Sequence, residues 1–133
     1  MMKIAISSSG KDLDSQIDPR FGRCQYFIFV DPETMEFEAS ENEGLMASGG
    51  AGVQAAQLIV QKGVKALITG NLGPNAASAL SASGIKVHLV SGGTIREVTE
   101  AFKAGKLQEA SGATVPPHFG MGGGRGMDSR RGS

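Results

Sequence analysis

Residues 65–79 constrain this fold more than any other stretch. Lys65-Ala66-Leu67-Ile68-Thr69 is followed by Gly70-Asn71-Leu72-Gly73-Pro74-Asn75 and then by Ala76-Ala77-Ser78-Ala79. The first five residues are short, mostly apolar and bounded by glycines, the pattern of a buried strand. The last four open an alanine-rich helix, and Pro74 falls where a first helical residue tolerates the loss of its N–H. The turn between them presents backbone N–H groups beside a helix N-terminus, which attracts anions through unpaired donors and the positive end of the helix dipole. It serves equally well as an ordinary connection whose glycines only set its geometry, since it is neither a G-x-G-x-x-G nor a P-loop.

The flanking sequence supplies neighbours for this unit. Residues 2–7 read as a first strand, followed by a polar loop carrying Asp12, Asp14 and Asp18. Tyr26-Phe27-Ile28-Phe29-Val30 is continuously apolar and β-rich, and residues 35–39 alternate apolar with acidic as a half-exposed strand does. Val53, Ala56, Ile59 and Val60 recur at helical spacing before Gly63. Residues 85–90 form a fifth strand, and Thr94 with Glu97 makes a capping box for a last helix bearing Ile95, Val98, Ala101 and Phe102 on its apolar face. The order β-β-β-α-β-α-β-α predicts an α/β fold: an antiparallel meander joined to a parallel half in one mixed five-stranded sheet. Ligands of such sheets gather outside the carboxyl ends of the parallel strands. Residues 1–110 form the domain, and residues 111–133, rich in Gly, Arg and Met without periodicity, read as a flexible tail.

Charge and cysteine content exclude several classes of function. Thirteen basic and thirteen acidic residues leave no field to gather nucleic acid or a membrane surface. One cysteine, Cys24, cannot make an intramolecular disulfide, and no apolar run reaches the length of a membrane span. With no signal-peptide pattern at the first residues, the expected setting is the cytoplasm.

Three stretches together resemble a known family. They are Asp18-Pro19-Arg20-Phe21-Gly22-Arg23 before an aromatic strand, Thr69-Gly70-Asn71-Leu72-Gly73-Pro74-Asn75-Ala76 with Gly84-Ile85-Lys86-Val87, and Gly92-Gly93-Thr94 leading to Ala101-Phe102-Lys103-Ala104-Gly105-Lys106-Leu107. In this spacing the chain is similar to the dinitrogenase iron–molybdenum cofactor biosynthesis family, over about its first four-fifths. The resemblance implies a ribonuclease-H-like three-layer fold and binding of a metal–sulfur cluster or its precursor, without turnover of a substrate. Where nitrogenase-linked members commonly carry histidine, this chain has arginine at both ends of Arg20-Phe21-Gly22-Arg23. A similar stand-alone branch includes a protein holding a mixed molybdenum–copper sulfide cluster, so Fe–Mo–S and Mo–Cu–S cargoes both stay open.

The expected cofactor-binding residues are Arg20, Phe21, Gly22 and Arg23, the turn of Gly70, Asn71, Leu72 and Gly73, and Gly49 and Gly50 before the first helix. Guanidinium groups suit a polyanion, and Gly22 lets backbone approach it. Either arginine could instead pair with Asp18 or Glu33 at the surface, and Phe21 reads first as a core plug. Cys24 is a candidate thiolate ligand for a soft metal, against the competing reading of a small core hydrophobe. His118 in the tail, near Met121, Met127, Arg125, Arg130 and Arg131, is a second candidate ligand, whereas mid-strand His88 reads as structural. No paired Cys or His spacing suggests zinc.

Two functions compete. The first is a non-catalytic carrier for an anionic metal–sulfur cluster, working with cluster-assembly or recipient proteins as a monomer or weak dimer. The alternative is a regulatory module that binds a nucleotide or phosphorylated metabolite at the same glycine turns. A two-metal nuclease is rejected because Lys3-Ile4-Ala5-Ile6-Ser7 offers no carboxylate on the first strand.

Overall fold

The computed structural model describes residues 3–42, 51–107 and 109–110. At its centre lies β1 (Ile4–Ser8), all five residues of which are buried. It pairs antiparallel with β2 (Tyr26–Val30) on one side and parallel with β4 (Ala66–Thr69) on the other. Beyond β2 lies antiparallel β3 (Phe37–Glu41), and beyond β4 lies parallel β5 (Lys86–Leu89). A short β6 (Glu109–Ala110) pairs antiparallel with β5 and completes the order β3-β2-β1-β4-β5-β6.

Alternation along each strand feeds two separate cores. Ala5, Phe27, Phe29, Leu67 and Val87 face α1 (Ala51–Lys62) and α2 (Pro74–Ala82), and pack with Ala56, Ile59, Ala76 and Leu80. Ile4, Ile6, Ile28, Val30 and Ile68 face the other way. They meet Ile95 and Val98 of α3 (Ile95–Lys103), together with Leu13 and Ile17 of the loop after β1. The unbroken apolar runs Ile4-Ala5-Ile6 and Ala66-Leu67-Ile68 are therefore the mark of strands covered on both sides.

Five strands and three helices lie in the regions where the sequence placed them, and the structure adds β6, whose two residues are too short to carry a periodic signal. β3 begins at Phe37 rather than Met35. Met35 adopts φ 65°, and its N–H donates to Asp31 O at 2.7 Å, so it closes the preceding turn instead of joining the ladder. β3 is mostly exposed, as an edge strand with polar alternate residues should be. The tail at residues 111–133, with His118, and the loop glycines Gly49 and Gly50 lie outside the described residues.

The loop after β1 is tied to the parallel half at two points, both beyond the carboxyl ends of its strands. Leu13 and Ser15 carbonyls accept the N–H groups of Arg96 and Ile95 at 2.8 and 2.9 Å, and Asn71 N–H donates to Pro19 O at 2.7 Å. That last crossing is close: a β-carbon on Gly70 would lie 2.5 Å from Pro19 Cβ and 2.7 Å from Pro19 Cα. Glycine is needed there for the approach of one backbone to another. Replacing Gly70 with alanine should therefore destabilise the domain by about 1–3 kcal/mol through overpacking. The expected reading is a lower urea midpoint at unchanged m-value; an unchanged midpoint would mean that the crossing relaxes freely.

Candidate anion-binding site

Ser7, near the end of β1, is fully buried and organises the loop above it. Its Oγ lies 2.6 Å from the Asp18 carbonyl oxygen and 2.8 Å from Thr69 Oγ1. A carbonyl can only accept, so Ser7 donates to Asp18 and receives the Thr69 proton in return. The Asp18 N–H donates to Ser7 O at 2.9 Å, so both main-chain polar groups of Asp18 are held by one serine.

The Asp18 carboxylate, 7% exposed, turns toward Arg20. Oδ1 accepts the Arg20 main-chain N–H at 2.9 Å and Nε–H at 3.1 Å, while Oδ2 accepts from Nη2 at 3.1 Å. Burial alone would raise this carboxyl; the side-chain and main-chain hydrogen bonds from Arg20, with its charge, outweigh that and hold it below the usual carboxylate range. Arg20 thus pairs with Asp18, as one reading of the sequence had it, and it also lines the cleft described next.

A 3₁₀ turn over Phe21–Arg23, the β4–α2 connection and the start of α1 surround an open cleft of about 450 Å³. Arg20, Gly22 and Arg23 form one wall, Asn71, Gly73 and Asn75 another, and Gly52 and Val53 a third. Phe21 and Leu72 also border it, but their side chains are only 3% and 2% exposed and serve as floor. Phe21 is wedged against Phe27 with ring centroids 5.4 Å apart. No carboxylate lines the cleft among the described residues, and Arg23 has no acidic partner among them.

The helix α2 begins at this cleft, beside Gly52 and Val53 of α1. A β-carbon on Gly52 of α1 would sit 3.8 Å from Ala76 Cβ of α2, so their first turns are adjacent. The first-turn N–H groups of each helix lack intrahelical acceptors. At α2 the N-cap is Gly73, which offers no side chain, and Pro74 has no N–H, leaving Asn75 and Ala76 as donors. α3 is built differently: Thr94 Oγ1 accepts Glu97 N–H at 3.1 Å, Glu97 Oε1 accepts Thr94 N–H at 2.9 Å, and the loop carbonyls of Ser15 and Leu13 accept the next two. That terminus is closed by its own chain, whereas no described residue closes the start of α2.

The structure departs from the expected cofactor-binding set at Gly70 and decides between the two readings of Cys24. Gly70 is spent on the Pro19 crossing and does not line the cleft. Leu72 borders the cleft as expected, with its side chain buried beneath it. Cys24 is fully buried, its thiol 3.3 Å from Phe21 O, and burial together with the Asp18 charge pushes it up to about 12, so it is a protonated core residue rather than a thiolate ligand. His88 lies beneath α3, edge-on to Phe102 with centroids 5.3 Å apart. Among the described residues no group of three or more His, Cys, Asp and Glu is placed to hold a metal ion. Sequence reasoning missed Val53 and Ala76 as lining, while the pairing of Arg20 with Asp18 was one of its two readings. The contrast between glycine before α2 and threonine before α3 was the available signal.

The buried thiol carries a pH signature. Its folded value lies above the ordinary 9.0, so the stability it contributes is complete below pH 9 and declines as pH rises toward about 12, where the folded thiol ionises too. Denaturant midpoints should fall across that window in the wild type and less steeply in Cys24→Ala. A Cys24 that alkylates at neutral pH as fast in the folded protein as in urea would show the thiol to be accessible instead.

Comparison with known proteins agrees with this architecture. The family model described as dinitrogenase iron-molybdenum cofactor matches residues 2–105. An uncharacterised Methanocaldococcus jannaschii protein is 35% identical over 112 residues, 82% of this chain and 92% of its own length. The apo form of the orange protein from Desulfovibrio gigas superposes with a TM-score of 0.82 at 40% identity, covering 86% of this chain and 97% of that one. A NifB-like protein from Thermotoga gives 0.71 at 43% identity, covering 82% and 93%. With the family model spanning every main element from β1 to α3, the chain belongs to the dinitrogenase iron–molybdenum cofactor family.

Proposed function

We propose that this protein is a non-catalytic carrier for an anionic metal–sulfur cluster of the Fe–Mo–S or Mo–Cu–S type, taken into the cleft as cargo. The observation that carries this reading is the meeting of the α2 N-terminus with Arg20 and Arg23, opposite Gly52 and Val53 of α1, around one cleft free of carboxylates among the described residues. Sulfide clusters spread their charge over large, weakly hydrated surfaces. A cleft of that size with apolar floor and dispersed N–H donors suits such an anion better than a compact, strongly hydrated phosphate does.

The donor set also dictates how cargo is held. With Cys24 protonated in the core, the described part of the cleft offers hydrogen bonds and charge rather than covalent ligands. Cargo held in this way leaves without breaking a protein–metal bond, as transfer between assembly and recipient proteins requires. The carrier would work in the cytoplasm, as a monomer or weak dimer in the ribonuclease-H-like frame, without nucleic acid. No helix among the described residues is long and apolar enough to cross a membrane.

The test is anaerobic loading of the apo-protein with copper and tetrathiomolybdate, and separately with iron, sulfide and molybdate. Removal of unbound metal should leave a sulfide-to-metal charge-transfer band with stoichiometric metal. Arg23→Ala should weaken retention by about tenfold or more, the scale of one charge-assisted contact, with little change in stability, since Arg23 has no partner ion among the described residues. A colourless, metal-free protein that binds nucleotides instead would establish the regulatory-module alternative.

A further inference from the structure

We propose that Asp18 is a positioning residue for the cleft: it fixes Arg20 as an oriented fork donor toward the bound anion, so that a carboxylate strengthens anion binding. The proposal rests on the cluster-carrier reading and names what tunes that same site.

Three observations support it. Asp18 does not line the cleft, while Arg20 does, so the carboxylate stands behind the guanidinium. Its own place is fixed, since Ser7 holds both its N–H and its carbonyl, and Thr69 locks Ser7 in turn. Finally, Asp18 engages Arg20 at three points: the main-chain N–H, Nε and Nη2. A guanidinium has five N–H bonds, so the pair of contacts leaves three N–H bonds for a ligand. The Arg20 side chain is 66% exposed, and a side chain so exposed would otherwise sample many rotamers. Pinned at one edge, it meets an anion without losing that freedom at the moment of binding.

The proposal gives a result opposite in sign to plain electrostatics. A carboxylate beside an anion site repels the anion, so removing its charge should by Coulomb's law tighten binding. Positioning requires the reverse. Asp18→Asn keeps an oxygen to accept the Arg20 main-chain N–H, so the loop is retained, but it presents an amide N–H₂ or a single oxygen to a guanidinium that needs two acceptors. Arg20→Lys keeps the charge and loses the fork.

The experiment measures tetrathiomolybdate affinity anaerobically, by equilibrium dialysis with molybdenum analysis, for the wild type, Asp18→Asn, Arg20→Lys and Arg20→Ala. Hydrogen exchange of the Arg20 Nε–H, followed by ¹⁵N NMR without ligand, accompanies it, and far-UV circular dichroism checks the fold. The expected result is binding weakened by about two- to tenfold in Asp18→Asn, the scale of one freed long side chain. Arg20→Lys should resemble Arg20→Ala, and the Nε–H should exchange faster in Asp18→Asn than in the wild type. Equal or tighter binding by Asp18→Asn, or wild-type affinity in Arg20→Lys, overturns the positioning role while leaving the carrier reading standing. A wild type that keeps a slowly exchanging Nε–H yet fails to bind tetrathiomolybdate overturns the carrier reading and this proposal with it.

Discussion

Burial of β1 on both faces is the constraint from which the rest of the molecule follows. A strand with Ile4 and Ile6 on one face and Ala5 on the other cannot be satisfied by a single layer of helices. It needs α1 and α2 on one side and α3 on the other, which requires chain crossings at the ends of the sheet. The small side chain of Ala5 is matched by large neighbours in register, since Ala5 pairs with Phe29 and Leu67 while Ile6 pairs with Ile28 and Ile68. Once both faces are covered, the only openings near the centre are at the strand ends. There the main chain runs out of ladder partners, and the buried hydroxyls of Ser7 and Thr69 take over.

The electrostatic design of that end is one of withheld compensation. Thr94 and Glu97 neutralise the start of α3, and a loop carbonyl covers each of the next two N–H groups. At α2 a glycine and a proline occupy the corresponding places and supply nothing. The fold thus pairs a helix start finished from within with one left for an outside partner, and the latter sits beside two arginines. A carboxylate does approach, but from behind Arg20 rather than from the cleft. Charge is thereby kept in place without filling the cleft.

Much of the fold was legible because its signals are local. The apolar runs of β1, β2 and β4, the Thr94–Glu97 box, and Gly63 and Gly84 at positive φ behind α1 and α2 are each readable within a few residues. What could not be read depends on contacts across long separations. Gly70 resembled a ligand turn, yet its lack of a side chain serves Pro19, fifty-one positions earlier. Cys24 had an arginine neighbour that favours a thiolate, but its surroundings are set by Phe21, Asn42 and the sheet, and these leave it protonated. For Arg20 the sequence offered function and surface pairing as rivals; the geometry makes one the support of the other. β6 is two residues long and owes its existence to the free edge of β5.

That short strand sets the direction of the chain where the described residues end. β5 runs toward the end of the sheet where the cleft lies, as β1 and β4 do, and β6 runs against it, with Glu109 beside His88 and Ala110 beside Val87. From Glu109 to Ala110 the polypeptide therefore runs toward the opposite pole. A domain, tether or affinity handle joined at that point starts out on the far side of the sheet from the cleft.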